Sequence, residues 1–417
     1  MITTSPLTQK MLALSMLSGV GPATLRRVVS HSLVSAPIIE LSQRIPAIAK
    51  AVADPSAWEL AQELAQKQHD AAEKAGAYII SALDEGYPAL LSATKDDPFI
   101  LFVKGTLFKT PEKSVAIIGT RQPTKHGEMI TRRITDFFCG QHWSVVSGLA
   151  LGCDGIAHRA AIEAGGHTVA VLAHGLQTVA PSQHRKLAEE ILNSGGALVS
   201  EYRFGQGALP TQFVKRDRTQ AGLSQGVVMI QSDLKGGSLH ASRAALDYER
   251  WLAVPYPTTA DELANEPKIQ ANLMIANSDA DIDRANLLRC HISRLSKVIV
   301  LRAKEDYPRL VYAPISVLED LEEEMALDDE EGREQASSML KGDDLSKSSL
   351  DDLHSCAAPA EGIRHDQSDS QSEDDGGRSE PGSSDQRGQT QEVSGSPRKA
   401  DTTSDSKADL TVQQKLL

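Results

Sequence analysis

The chain has 417 residues, of which 40% are hydrophobic and 4% aromatic, and its formal net charge is −13. This length suits two ordinary domains and a tail with a sizeable core, and so few aromatic side chains exclude a binding surface built mainly on base stacking. The four cysteines form no C-x-x-C pair, which argues against a zinc site, a redox motif or a disulfide framework and fits a reducing cytoplasm: Cys139, Cys153, Cys290 and Cys356.

The sequence carries no signal for a membrane. No stretch approaches ~18 uninterrupted apolar residues, which is the length that a transmembrane helix needs. The N-terminal residues also lack a basic segment followed by a long apolar run. We therefore expect neither a signal peptide nor a transmembrane span, and a cytoplasmic protein without membrane contacts.

The negative charge is concentrated in the last part of the chain. Basic and acidic residues number 7 and 8 in residues 1–94, 26 and 24 in residues 95–320, and 10 and 24 in residues 321–417. The net charges are −1, +2 and −14, which sum to −13. Ser, Asp, Glu, Gly and Gln dominate residues 326–417, and such a composition buries too little apolar surface to offset chain entropy. We predict a disordered acidic tail there.

Residues 1–75 have the pattern of a small helical domain. Leu12, Leu14 and Leu17 are spaced as on a helix, and residues 58–74 are rich in strong helix formers. Between the first two predicted helices, the sequence SGVGP predicts a tight turn with Pro22 at the first helical position.

From residue 76 to residue 325 the sequence changes to short apolar runs separated by glycine turns. Most runs are separated by segments that suit helices, which is the βαβ pattern of a largely parallel sheet. We therefore predict an α/β domain. The runs are YIISA (78–82), FILFV (99–103), SVAIIG (114–119), WSVVSG (143–148), HTVAVLA (167–173), ALVSE (197–201), GVVMIQS (226–232), WLAVP (251–255) and KVIVLRA (297–303).

Two neighbouring strands end in polar turns that suit an anion. One run ends at Gly119, Thr120 and Arg121, and the next ends at Ser147 and Gly148. Because parallel strands end at one edge of a sheet, where open α/β sheets bind ligands, we expect the two turns to lie together. Backbone N–H groups, the Ser147 hydroxyl and the Arg121 guanidinium then form a predicted phosphate site.

Phosphate contacts are also predicted from two further segments. One is a predicted loop before the helical residues 219–224, and its three cations would track a phosphate backbone: Lys215, Arg216 and Arg218. The alternative is a solvated loop in which Asp217 neutralises one arginine. The other segment follows the seventh strand and places glycine amides and a hydroxyl at a predicted helix start: Gly236, Gly237 and Ser238.

No catalytic set accompanies these turns. Asp154 is predicted to cap the helix that follows the second turn, and His158 to be its structural partner. The sequence has no P-loop, no complete G-x-G-x-x-G after a strand, no H-E-x-x-H and no G-x-S-x-G. Phosphate-binding loops without a nucleophile and base favour binding over turnover. We expect no enzyme, no cofactor and no metal.

These segments together resemble the DprA (Smf) family of DNA-processing proteins. The resemblance covers about residues 10–280, and its most specific part is VVSGLALGCDGIAHRAAIEAGGHTVAVLAHGL (145–176). The other matching segments are DEGYPALL (84–91), DDPFILFVKG (96–105), AIIGTR (116–121), LVSEY (198–202), FVKRDRTQAGLS (213–224), GGSLHAS (236–242) and YERWLAVP (248–255).

The resemblance implies an extended Rossmann-like fold behind an N-terminal helical domain, where LSGVGPATLRRVV (17–29) is similar to a helix-hairpin-helix. It further implies single-stranded DNA binding, a homodimer formed through the Rossmann-like domain, and loading of a RecA-type recombinase in natural transformation, without enzymatic activity. It also adds Lys186 to the predicted DNA contacts. These are Gly119, Arg121, Ser147, Gly148, Lys186, Lys215, Arg216, Arg218, Gly236, Gly237 and Ser238.

The chain departs from the family pattern at several positions. Asp217 stands where the family usually has Asn between two arginines, so it subtracts positive charge where phosphate should lie. Gly236 replaces the first Ser of a Ser-Gly-Ser loop, Tyr256 replaces the Gly of Val-Pro-Gly, and Ala180 replaces the Tyr before Pro181. No winged-helix segment is visible, and the acidic tail takes its place.

The sequence thus predicts a cytoplasmic DprA-like protein that binds and protects single-stranded DNA, by charge more than by stacking, and helps to load RecA in DNA uptake and recombination. The alternative is a nucleotide sensor or nucleotide-processing protein on the same Rossmann-like fold, in which Asp217 binds a ribose hydroxyl. A third interpretation is a scaffold whose acidic tail engages a basic partner, so that deleting residues 331–417 abolishes function.

Overall fold

Helices form the first part of the computed structural model, which describes residues 4–107 and 113–312 of the chain. The predicted turn is confirmed, because Gly19 has a φ of +77° and Pro22 is the first residue of the second helix. The predicted acidic tail, residues 326–417, lies outside the described residues. The helices before the first strand are α1 (Pro6–Met16), α2 (Pro22–Ser30), α3 (Ile38–Arg44), α4 (Pro46–Ala51) and α5 (Ala57–Lys74).

All nine predicted strands are present, and they form one sheet. Its order is β1-β2-β6-β5-β4-β3-β7-β8-β9, with strand numbers in chain order. The strands are β1 (Ala77–Ser81), β2 (Ile100–Gly105), β3 (Ser114–Ile118), β4 (Ser144–Ser147), β5 (Thr168–Leu172), β6 (Ala197–Ser200), β7 (Gly226–Met229), β8 (Trp251–Pro255) and β9 (Val298–Leu301).

In the order of the sheet, all six neighbouring pairs from β6 to β9 are parallel. Only the pairs β1–β2 and β2–β6 are antiparallel among the described strands. The predicted α/β class with a largely parallel, Rossmann-like sheet is therefore confirmed. The chain adds β4, β5 and β6 on one side of β3 and then β7, β8 and β9 on the other, so the strand order reverses between β3 and β7.

Helices connect the strands and cover the sheet. All residues of β3, β4, β5 and β7 are buried, as expected for parallel strands covered on both faces. The helices are α6 (Ala89–Ser92), α7 (Lys125–Gly140), α8 (Cys153–Glu163), α9 (Arg185–Asn193), α10 (Pro210–Gly222), α11 (Ser238–Asp247), α12 (Thr259–Leu263), α13 (Gln270–Asn277), α14 (Asp281–Leu288) and α15 (Pro308–Val311).

The N-terminal helices share a core with the sheet. Leu14 of α1 and Leu25 of α2 belong to the same buried apolar cluster as Phe102 of β2. A polar junction accompanies this cluster, where the buried Asp97 accepts from the phenol of Tyr87 and pairs with Arg26 at 3.2 Å. Burial of this shared surface stabilises the helical segment against the sheet edge, at about 25 cal/mol per Å² of apolar area.

Candidate functional site

The strand order reverses at the carboxyl ends of β3 and β7, and we call this place the β3–β7 crevice. The backbone N–H of Thr120 donates to the carbonyl of Gln231 at 2.9 Å. The Gln231 amide then reaches Thr124, because its Nε2 donates to Thr124 Oγ1 at 2.9 Å and its Oε1 accepts from Thr124 N–H at 3.0 Å. Open α/β sheets bind their ligands at such a reversal of strand order. The turn after β3 is therefore fixed at the favoured place.

Close packing brings the two predicted turns together. A Cβ on Gly119 would stand 2.6 Å from Cys153 Sγ, and a Cβ on Gly152 would stand 2.5 Å from the carbonyl carbon of Arg121. Gly152 also has a φ of +76°, which favours glycine. The Cys153 N–H donates to Thr120 O at 3.2 Å. The sequence correctly predicted that the turns after β3 and β4 share one edge.

Arg121 is an exposed cation at this crevice. Its side chain is exposed, and within residues 4–107 and 113–312 its guanidinium makes no hydrogen bond or ion pair. Its charge nevertheless acts on the carboxyl group of Asp217. A guanidinium held on a rigid turn with its donors unused suits a bidentate contact with a phosphate.

The donors of the second turn are used inside the protein. The Ser147 hydroxyl is fully buried and donates to Ile117 O at 2.7 Å. The N–H groups of Gly148 and Ala150 donate to Asp154 Oδ2 at 3.1 Å and 3.3 Å. Asp154 is the second residue of α8, which Gly152 caps, so the predicted N-cap role of Asp154 is wrong. Asp154 instead holds the turn in shape.

His158 does not pair with Asp154, contrary to our prediction. It is fully buried, and its Nδ1 lies 2.7 Å from Thr168 Oγ1. The Thr168 hydroxyl donates onward to Val145 O at 2.8 Å, so Nδ1 of His158 carries the hydrogen that Thr168 accepts. Burial, followed by the charges of nearby basic groups, lowers the pKa of His158 to about 3. A neutral histidine that bridges α8 and the sheet has a structural role.

The segment with the three cations is helical, not a loop. α10 begins at Pro210, so it contains all residues from Phe213 to Arg218. Arg216 is only 4% exposed, and its Nη1 donates to Val171 O at 2.8 Å. Its Nε lies 3.3 Å from Asp217 Oδ1. Arg216 therefore lies beneath the turn, whereas the loop prediction placed it at the surface.

The other two cations of α10 differ from each other. Arg218 Nη2 donates to Glu201 Oε2 at 2.7 Å, and its Nε lies 3.6 Å from Asp96 Oδ2. Lys215 is exposed, and its charge acts on Glu201. Lys215 is thus available to a ligand as it stands, whereas Arg218 is engaged by two acids and its unbonded Nη1 is buried.

The buried Asp154 and the partly buried Asp217 reduce the positive charge beneath the crevice. Burial raises the pKa of Asp154, and the Arg216 charge opposes that rise. Burial also raises the pKa of Asp217 to about 7. The charge of Arg216 opposes this rise, and the charge of Asp154 adds to it. Gln220 Nε2 donates to Asp217 Oδ1 at 3.0 Å. The charge of the crevice therefore depends on whether Asp217 holds a proton.

The remaining predicted contacts lie at the surface. Gly237 is exposed and caps α11, and Ser238 is its first residue, as predicted. A Cβ on Gly236 would overlap Ser232 Oγ, so this glycine permits a tight turn. The side chain of Lys186, at the start of α9, is 87% exposed, and its Nζ lies 3.5 Å from Glu190 Oε1.

Sequence reasoning missed the residues that shape the loops. Buried Asn272 accepts from Ser232 N–H at 3.0 Å and donates to Ile230 O at 2.8 Å, which fixes the loop after β7. His184 Nδ1 donates to Leu149 O at 2.8 Å and fixes the loop after β4. In the sequence, each of these residues appears only as a polar residue in a helical segment, and that pattern does not show which distant residue it contacts.

Metal and membrane signals are lacking in the part of the chain that the structure describes. No group of three or more His, Cys, Asp or Glu side chains there could hold a metal ion. None of the helices described is long and apolar enough to cross a bilayer.

Comparison with known proteins identifies the sheet domain. Residues 78–283 match the family described as DNA recombination-mediator protein A. This segment is a domain of the DprA/Smf family. The protein Smf of Escherichia coli is 39% identical over 186 residues, which are 44% of this chain and 50% of that protein. The DNA processing protein DprA of Bacillus subtilis is 35% identical over 182 residues, which are 43% of this chain and 61% of that protein.

The fold of the DprA domain agrees with a solved structure. DNA processing protein A of Streptococcus pneumoniae superposes with a TM-score of 0.51 and 23% identity, covering 67% of this chain and all of that one. This chain spans about half to three fifths of the length of the two curated relatives. The DprA domain contains every predicted site residue, from Gly119 to Ser238.

Proposed function

We propose that the protein binds single-stranded DNA at the β3–β7 crevice and acts in DNA processing during uptake and recombination. The carrying observation is Arg121, an exposed guanidinium on a rigid turn at the crevice, in a domain of a family described as a DNA recombination mediator. Lys215, Lys186 and the glycine loop 236–238 add exposed cations and amides.

Charge supplies most of the affinity on this proposal. Aromatic residues are 4% of the chain, so base stacking contributes little, and binding has little sequence preference. Phosphate contacts with cations release counterions, so affinity falls steeply as salt is added. Arg216 and Asp154 position the turn from below and do not touch the DNA.

The same proposal assigns a mode of action. The protein works as a homodimer in the cytoplasm, protects the bound strand and passes it to a RecA-type recombinase, without catalytic turnover and without a cofactor. Support comes from the family description and from the relatives named DNA processing protein. The absence of a nucleophile–base pair in the sequence favours the same conclusion.

A titration tests the proposal. Full-length protein is added to a labelled single strand of about 20 nucleotides, and anisotropy is compared with that of a duplex and of mononucleotides. Single strands should bind most tightly, and Arg121→Ala should lose most of the affinity. Arg27→Ala is the matched control, because Arg27 is an exposed arginine on α2. Equal binding by Arg121→Ala and the parent would overturn the site.

The neighbouring Asp217 favours a second candidate, a nucleotide sensor. Its carboxyl group lies within the field of Arg121, so a ribose hydroxyl could bond the acid while a phosphate bonds the arginine. On this alternative, mononucleotides compete with the single strand, and Asp217→Asn weakens them. Mononucleotide binding tighter than oligonucleotide binding would decide for the sensor.

A further inference from the structure

A second group of basic side chains lies on α11 and at the end of α14. His240 and Arg243 are three residues apart on α11, so they lie on the same face of the helix. Arg243 Nε and Nη2 donate to Leu287 O at 3.2 Å and 2.9 Å, which holds its guanidinium against the end of α14. Arg289 caps α14 with a φ of +50° and is exposed. We call His240, Arg243 and Arg289 the α11 cationic cluster.

The charges of this cluster are not balanced by acids. Burial lowers the pKa of His240, and the charges of Arg243 and Arg289 lower it further. Burial also lowers the pKa of Arg243, and the charge of Arg289 adds to this effect. No carboxylate contributes to either shift. Within residues 4–107 and 113–312, neither arginine has an acidic partner within 4 Å, whereas the nearby Arg294 lies 3.2 Å from Asp247 Oδ1. The lowered pKa favours the neutral form of His240, so the positive charge of the cluster is that of Arg243 and Arg289, and a bound anion relieves the repulsion between them.

The cluster continues the predicted phosphate path. Ser238 begins α11, and Arg243 follows five residues later, about 7.5 Å along the helix axis. Lys235 is exposed just before the glycine loop. Arg289 lies beyond residues 78–283, so it is outside the matched family domain.

We infer that the α11 cationic cluster binds backbone phosphates of single-stranded DNA as the strand leaves loop 236–238. This inference rests on the proposed function and lengthens its binding path. Arg243, oriented by Leu287 O, keeps Nη1 for a phosphate, and the exposed Arg289 supplies a second contact. Short strands that fill only the crevice do not reach the cluster, whereas longer strands do.

The test uses Arg289→Gln in the full chain, because Arg289 is exposed and its side chain supports no core. Affinity is measured for single strands of about 6 and about 20 nucleotides across a salt series. For the long strand we expect the affinity to fall roughly threefold to tenfold. The slope of log K against log salt should also be smaller in magnitude by about 0.7. The short strand should bind the variant and the parent with equal affinity. Lys50→Gln, an exposed lysine on α4, is the control.

Different failures are distinguishable. If Arg289→Gln keeps the parent slope for the long strand while Arg121→Ala loses binding, the cluster is not on the path and the proposed function stands. If the parent binds neither strand, the proposed function itself fails. If Arg289→Gln changes the sedimenting mass and leaves the slope unchanged, the cluster belongs to a protein interface, and the inference is overturned. Arg243→Lys, which keeps the charge, should retain the slope.

Discussion

The buried guanidinium of Arg216 occupies the space that a side chain on residue 148 would need. A Cβ on Gly148 would overlap Arg216 Nη1 and would stand 2.7 Å from Asp154 Oδ2. Gly148 is therefore glycine because a cation from α10 packs directly beneath the turn after β4. This contact joins the turn, α8 and α10 into one unit under the crevice.

Gly148→Ala should be strongly destabilising. The new methyl group must displace a guanidinium that is hydrogen-bonded and 4% exposed, and overpacking of this kind costs about 1–3 kcal/mol. Chemical denaturation of the two proteins measures the loss. Gly237→Ala is the matched control, because a Cβ there meets nothing within 4 Å, and it should change stability by less than about 1 kcal/mol. Equal stabilities for Gly148→Ala and the parent would contradict the packing.

Substitutions of Arg121 and Arg216 should affect different properties of the protein, DNA binding for Arg121 and stability for Arg216. Arg121→Met should leave the unfolding free energy within about 0.5 kcal/mol, because the side chain is exposed. It should weaken single-stranded DNA binding by about 1.5–3 kcal/mol, the contribution of hydrogen bonds to a charged group. Arg216→Met should instead lose about 3–5 kcal/mol of stability, because the buried Asp154 and the partly buried Asp217 lose their cation. Thermal unfolding and anisotropy are measured on both, and a reversed pattern would exchange their roles.

Asp217→Asn should stabilise the protein in a pH-dependent way. The pKa of Asp217 is about 7 in the folded protein against an ordinary value of 3.8, so the folded state binds the proton more tightly than the unfolded state. Stability from this group is complete below pH 4 and is lost as pH rises through 7. The variant cannot ionise, so it should gain about 1–3 kcal/mol over the parent at pH 8 and less than half as much at pH 5, where the carboxyl group already ionises in the unfolded state.

Denaturation curves at the two pH values test this prediction. Asp261→Asn is a useful comparison, because that acid lies at the same edge of the sheet, 3.7 Å from His126 Nδ1. A gain for Asp217→Asn that is equal at both pH values would show that Asp217 does not titrate near neutrality. The same variant should bind single-stranded DNA more tightly at pH 8, because a negative charge beside Arg121 is removed.

The acidic C-terminal segment should compete with DNA. Residues 321–417 carry 10 basic and 24 acidic residues on the same chain as the cationic crevice, so their local concentration there is high. Truncation near residue 330 should raise single-stranded DNA affinity at low salt, and the gain should shrink as salt screens charges beyond ~10 Å at 0.1 M. Anisotropy of full-length and truncated protein across a salt series measures this. Weaker binding by the truncated form would point to partner recruitment.

Local sequence was sufficient for the strands and for the edge that holds the site. The β3 run SVAII is β-branched and ends at Gly119, and that pattern alone predicts a buried strand followed by a turn. Parallel order then requires such turns to share one edge, so the meeting of Arg121 with the turn after Ser147 was predictable. The exposure of Arg121 also follows from its place on a turn.

The roles of the charged residues on α10 were decided only by tertiary structure. Three cations within four residues indicate a solvated loop, yet Pro210 begins a helix that carries Arg216 inward and leaves Lys215 outside. Asp154, which lies 62 residues earlier in the chain, makes that burial possible. A buried charge is stable only with a partner, and no local pattern shows which distant segment supplies it.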